Sequence, residues 1–174
     1  MPAERKRRGG RTPEPVSDEV LTWAEVNRTH RIQSGVYQRG GRLVSLLTDF
    51  GRINPCYPDE TAPDGETVYY TGEGRRGDQH LSPGNRALLS AIESGHAVPL
   101  FNKLGVGRWQ HTGFWRVVHA EHRLDEDERR MLWRFTLRRV QSSKFEVQSS
   151  VGKDGDAKSK VGSFGRKSAS KGSV

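Results

Sequence analysis

The sequence predicts an α+β fold: a twisted, mostly antiparallel sheet or semi-open β-barrel with two or three flanking helices. Three observations predict it. Short β-branched and aromatic runs recur along the middle of the chain and read as strands. Turn formers separate them, among them Gly40-Gly41, Asp64-Gly65 and a proline-rich stretch. Helical periodicity is confined to two segments, so the strands do not alternate with helices as a parallel α/β fold requires.

The elements follow in order. Ser17 stands before Val20, Leu21, Trp23, Ala24 and Val26, a short helix with Ser17 as N-cap. Val36-Tyr37 and Leu43–Leu47 read as strands joined by an Arg39-Gly40-Gly41-Arg42 turn. Residues 51–67, with Pro55, Pro58, Pro63 and Asp64-Gly65, predict a long exposed loop, a place where function concentrates. Val68-Tyr69-Tyr70 is an aromatic strand that enters a loop with Gly72, Gly74 and Gly77. Period-2 alternation sets Tyr69 and Tyr70 on opposite faces. A helix over 85–94 buries Leu88, Leu89 and Ile92 and stops at Gly95. Strands follow at 98–101, 113–119 and 131–137, with a solvated turn at Leu124–Glu128 between the last two. Trp109, Trp115 and Trp133 are expected in the core.

Composition bounds the function. The chain has 174 residues, 32% of them hydrophobic, and a formal charge of +8. Its mean hydropathy is −0.80 and its pI about 10.0. The charge sits at the ends. Arg5, Lys6, Arg7, Arg8 and Arg11 against Glu4 and Glu14 give +3 at the start. Seven cations against Glu146, Asp154 and Asp156 give +4 over 141–174, so the middle keeps only +1. The resulting division is a basic flexible arm at 1–15, one folded domain at 16–147 and a disordered Gly/Ser/Lys-rich tail at 148–174. Such arms either keep a chain in solution or hold nucleic acid through counterion release without reading bases. No apolar run has transmembrane length, and no signal-peptide core appears at the N-terminus. A cytoplasmic, nucleoid-associated monomer is expected, with no membrane partner. The single Cys56 leaves no disulfide framework and no Cys-rich zinc site.

Enzyme chemistry finds little support. Asp59, Glu60, Asp64 and Glu66 form an acidic group, but no lysine lies between Lys6 and Lys103 to complete a nuclease centre. A Gly-x-Ser-x-Gly elbow is absent. His111, His119 and His122 lack sulfur partners for zinc. No enzyme activity, metal or cofactor is expected. Aromatic faces, a permissive glycine loop and Arg75-Arg76 instead suit the grip of an extruded base and its phosphates.

Several motifs resemble one family. Asp78-Gln79-His80-Leu81 with Asn85-Arg86-Ala87-Leu88 is similar to the Asp-Gln-x-Leu…Asn-x-Ala-Leu signature of the SRA, or YDG, domain. Tyr70-Thr71-Gly72-Glu73-Gly74 resembles its Tyr-Thr-Gly-x-Gly. Gly113–Val118 and Leu132–Arg139 resemble two of its strands, in the right order, over roughly residues 50–140. The resemblance implies a PUA-like barrel that binds double-stranded DNA with 5-methylcytosine, or 5-hydroxymethylcytosine, by flipping the base into a pocket. It implies a module that is not itself an enzyme and that in bacteria is often joined to a nuclease, so a separate nuclease partner is a possibility.

The same resemblance assigns residues. Tyr57 and Tyr70 stack the base, which puts Tyr70 at an exposed strand end and leaves Tyr69 packed; Asp59 or Glu60, with Asp64 behind them, accepts from the cytosine amino group; Thr71 and Gly72 complete the polar contacts. Arg39, Arg42, Arg75 and Arg76 are candidates for backbone contact or for filling the gap in the helix. Asp78-Gln79 braces the following helix. The family's Tyr-Asp-Gly is His111-Thr112-Gly113 here, and only Arg75, Arg76 and Gly77 stand where some members carry a strand-reading finger. Binding with little dependence on strand asymmetry is therefore expected. The alternatives are a PUA-like module for RNA or a modified nucleotide, and a modification-dependent nuclease.

Overall fold

The computed structural model describes residues 18–141. The expected arm at 1–15, the tail at 148–174 and the Ser17 cap lie outside the described residues. Strand β1 (Val20–Leu21) and helix α1 (Trp23–Val26) come first, so the expected opening helix is shorter and starts later. Its N-cap is Thr22, in a capping box with Glu25. Hairpin β2 (Val36–Arg39) and β3 (Arg42–Thr48) turns through Gly40 and Gly41, both at positive φ. Then come β4 (Glu60–Thr61), β5 (Thr67–Thr71), α2 (Pro83–Ser94), β6 (Ala97–Gly105), β7 (Arg108–Asp125) and β8 (Arg130–Val140). The last three strands are longer than the sequence suggested, and the turn between β7 and β8 is 126–129.

The eight strands form one sheet in the order β2-β3-β6-β7-β8-β5-β4, with β1 added beside β7. The end strands do not pair, so the barrel stays open. All pairs are antiparallel except β3 with β6, whose connection carries β4, β5 and α2.

Helix α2 closes the core. Ser82 caps it by accepting from the Asn85 amide, Pro83 opens it, and Gly95 ends it in the left-handed conformation. Ala87, Leu88 and Ala91 pack onto Leu43, Leu46, Val68, Tyr70, Leu100, Trp115, Phe135 and Leu137. A second cluster joins Val26, Leu47, Phe101 and Trp109. Trp109 and Trp115 are thus core as expected; Trp133 is half-buried and stacked on His122, 4.7 Å between centroids. No helix among the described residues is long and apolar enough to cross a membrane.

Candidate nucleic-acid interface

The glycine loop after β5 is held from behind. Gln79 is buried and donates from Nε2 to the carbonyls of Gly72 and Gly74, while its Oε1 accepts from the Trp133 amide. Asp78 accepts from the Met131 amide. Asn85 accepts from the Glu73 amide and donates to the Glu73 and His80 carbonyls. Asp78-Gln79 therefore ties the loop to β8, and Asn85 ties it to α2. Gly72 must be glycine here: a Cβ would stand 2.6 Å from Asn85 Oδ1 and 2.8 Å from Trp133 Cβ. Arg130 completes the frame by donating to the carbonyls of Gly74 and Cys56.

In front of this frame lies a cavity of about 450 Å³. Tyr57, Asp59, Tyr70, Thr71, Gly72 and Arg75 all line it, which brings six of the expected site residues together from a 19-residue segment. Tyr57 is half-buried on the loop before β4. Burial foremost, with help from nearby Cys56, raises its phenol above the ordinary range. Asp59 lies at the floor, 7% exposed. Its Oδ1 accepts from the Thr71 amide at 2.6 Å and its Oδ2 from the Thr48 hydroxyl at 2.7 Å. Burial pushes its pKa up to about 7, against the lowering effect of these bonds. The Thr71 hydroxyl also pulls on this carboxyl yet forms no well-angled hydrogen bond, which leaves a buried polar group open to a ligand.

Three expectations change. Tyr70 is not at an exposed strand end: it is 3% exposed, belongs to the main core, and donates its hydroxyl to the Leu47 carbonyl at 3.0 Å. Tyr69 is the half-buried one, on the other face beneath the Arg134 guanidinium, 5.2 Å from the ring centroid. Parity carried the missed signal, because apolar Val68 shares a face with Tyr70. Glu60 does not enter the cavity; it is exposed and pairs with Arg134 at 3.3 Å. Asp64 accepts from Thr67 and also lies outside.

The arginines separate. Arg75 is at the cavity rim, and Arg76 is exposed beyond it. Arg39 and Arg42 pair at the β2–β3 turn, whereas Val36, Leu47 and Thr48 at the opposite end line the cavity. Six residues of strand place Arg42 roughly 20 Å from Thr48, at the end of the hairpin away from the cavity.

Sequence reasoning missed Gln33, Ser34, Asp49, Asn54, Lys103 and Trp109, which also line the cavity. Asp49 shapes the 49–57 loop by accepting from the amides of Gly51 and Asn54. These residues come from distant segments with no shared spacing, so only the fold gathers them. Among the described residues no group of three or more His, Cys, Asp or Glu side chains could hold a metal ion.

Residues 29–154 match the family model described as ScoMcrA-like, SRA domain. The chain is similar to the SUVH5 SRA domain in complex with hemimethylated CG DNA, at 25% identity over 72% of this chain and 87% of that one, TM-score 0.61. It is likewise similar to SUVH5 SRA bound to fully hydroxymethylated CG DNA, at 26% identity over 72% and 88%, TM-score 0.59. A modification-dependent restriction endonuclease, TagI, shares the fold at 20% identity over 72% of this chain and 50% of that chain, TM-score 0.60. None of the curated proteins matches the chain.

Proposed function

We propose that this chain, which belongs to the ScoMcrA-like SRA domain family, binds double-stranded DNA carrying a modified cytosine by taking that base into the Tyr57–Tyr70 cavity. One observation carries the reading. Two tyrosine rings, a buried carboxyl and an open hydroxyl line a single cavity whose rim bears Arg75 and Lys103. Rings stack on a base, Asp59 accepts from the exocyclic amino group of cytosine, and Thr71 offers the remaining polar contact. Thymine has no amino donor at that edge, so an acceptor at the floor selects cytosine. The rim cations meet phosphates and add affinity without sequence information. SUVH5 SRA, similar at 25–26% identity, has been seen with hemimethylated and with fully hydroxymethylated CG DNA, which supports a modified cytosine as the ligand.

The role is that of a reader rather than a catalyst; any strand cleavage belongs to another domain or chain. Only Arg75, Arg76 and Gly77 separate Gly74 from Asp78, so nothing on this loop extends far enough to interrogate the opposite strand, and fully and hemimodified sites bind alike. The direct test is a gel-shift series with one modified cytosine in an otherwise plain duplex. Tyr57→Ala removes one stacking wall from a half-buried position. It should weaken binding to the modified duplex by about 5- to 150-fold, since base–aromatic stacking is worth roughly 1–3 kcal/mol. Binding to plain DNA should hold. Equal loss on both duplexes would place Tyr57 at the backbone and remove it from the pocket.

A further inference from the structure

Val106 is 98% exposed, more than any other large apolar side chain among the described residues. It sits with Gly107 at the two-residue tip of the β6–β7 hairpin, where Gly105 faces Arg108. A β-branched residue is a poor choice for a turn, and a valine wholly in water contributes no burial to folding. Gly107, at φ +66°, supplies the turn geometry. The side chain next to it is thus free to be something polar, and it is not. A local rule broken without a folding reason points to function.

The hairpin's position says which function. Lys103 and Trp109 are cross-strand partners and both line the cavity. Strands β6 and β7 run past the cavity from that pair, so Val106 stands three residues beyond it, roughly 10 Å away at ~3.3 Å per residue. That reach compares with a DNA groove about 8 Å deep. The base of the hairpin is stiff. Arg52 donates to Asn102 Oδ1 at 2.9 Å and to the Lys103 carbonyl at 3.3 Å, which ties it to the 49–57 loop. From 102 to 110 the segment reads Asn-Lys-Leu-Gly-Val-Gly-Arg-Trp-Gln, with two cations and no acid, a charge that suits entry between phosphates.

We infer that Val106 is a wedge that enters the DNA groove beside the extruded nucleotide and packs against the base pairs left behind. This rests on the base-extrusion reading above and gives that reading its missing counterpart, a side chain that holds the helix open. Apolar wedges inserted at a base step unstack and kink the duplex in other DNA-binding proteins. Here Lys103 and Arg108 anchor the phosphates on either side of the tip.

The test compares the intact protein with Val106→Ser and Val106→Ile on two duplexes, one perfectly paired around a single 5-methylcytosine and one with a mismatch opposite it. Full exposure means that neither substitution should move the melting temperature. Val106→Ser should bind the perfect duplex about tenfold more weakly, the scale of losing part of a valine's burial, and Val106→Ile should bind as the native protein does. On the mismatched duplex, already easy to open, the loss should shrink to about twofold. A 2-aminopurine beside the target should brighten less with Val106→Ser. Unchanged binding by Val106→Ser, or equal loss on both duplexes, overturns the wedge. The pocket reading is judged separately, by whether the native protein prefers modified over plain DNA. Should it fail, the 2-aminopurine contrast on plain DNA still decides for or against the wedge.

Discussion

Asp59→Asn is expected to weaken binding to a duplex with one modified cytosine by roughly 10- to 150-fold, the loss of a hydrogen bond to a charged acceptor worth ~1.5–3 kcal/mol. Plain DNA, held by phosphate contacts, should bind as before. The substitution keeps the shape of the floor but replaces an acceptor-only group with one that presents a single oxygen. Gel shifts on the two duplexes measure it, and a variant with undiminished preference for the modified one would remove Asp59 from the recognition site. The same substitution should act oppositely on stability. Burial lifts the Asp59 pKa from its ordinary 3.8 to about 7, so the folded protein holds this proton more tightly than the unfolded chain. Below the unfolded value the group is neutral in both states and costs nothing. As pH rises from about 4 to about 7 the unfolded chain ionises first, and stability is lost at up to ~1.4 kcal/mol per pH unit. Asp59→Asn should lack this decline. Relative to the native protein it should therefore gain stability between pH 5 and pH 8, read by urea unfolding at each pH. A recognition group kept at a cost to the fold is common where function demands a buried charge.

Tyr70→Ala is expected to destabilise the protein by about 3–5 kcal/mol, the usual cost of emptying a buried aromatic site and a large part of a domain's ~5–15 kcal/mol. The ring sits in the core with Val68 and Phe135, and its hydroxyl closes onto the Leu47 carbonyl next to Gly35. Tyr70→Phe separates the two roles. It keeps the ring as cavity wall and core filler and removes only the bond to Leu47, a loss of about 1 kcal/mol. Its preference for modified DNA should survive. Urea unfolding with gel shifts on the folded variants distinguishes the cases. A near-native midpoint for Tyr70→Ala would mean that the ring is not core; lost preference in Tyr70→Phe would mean that the hydroxyl, not the ring, meets the base.

The sequence by itself determined six of the eight strands, the α2 helix with its Gly95 stop, and the segment from Tyr57 to Asn85 that frames the cavity; β1 stood in what reads as a helix and β4 in what reads as a loop. Those features are local. Period-2 alternation, caps, glycine turns and the Tyr-Thr-Gly and Asp-Gln…Asn spacings are carried by neighbouring residues. Tertiary structure settled which face each side chain took, even where parity hinted at it, as Val68 did for Tyr70. Tyr69 and Tyr70 differ by one residue and so by one face, and it is the packing of Leu88, Phe135 and Leu137 that makes Tyr70's side the core. Glu60 and Asp59 are divided in the same way. Asp59 turns inward to Thr48 and Thr71, while Glu60 turns outward to Arg134. Gln33, Lys103 and Trp109 entered the cavity, and Arg39 and Arg42 left its rim, because strand order, not spacing, sets those distances. A parallel β3–β6 pair brings Thr48 beside Asn102, and nothing local in either segment specifies a contact made 54 residues apart. Such contacts form only when the whole sheet closes over its buried apolar face, and that non-directional driving force leaves no short-range mark in the chain.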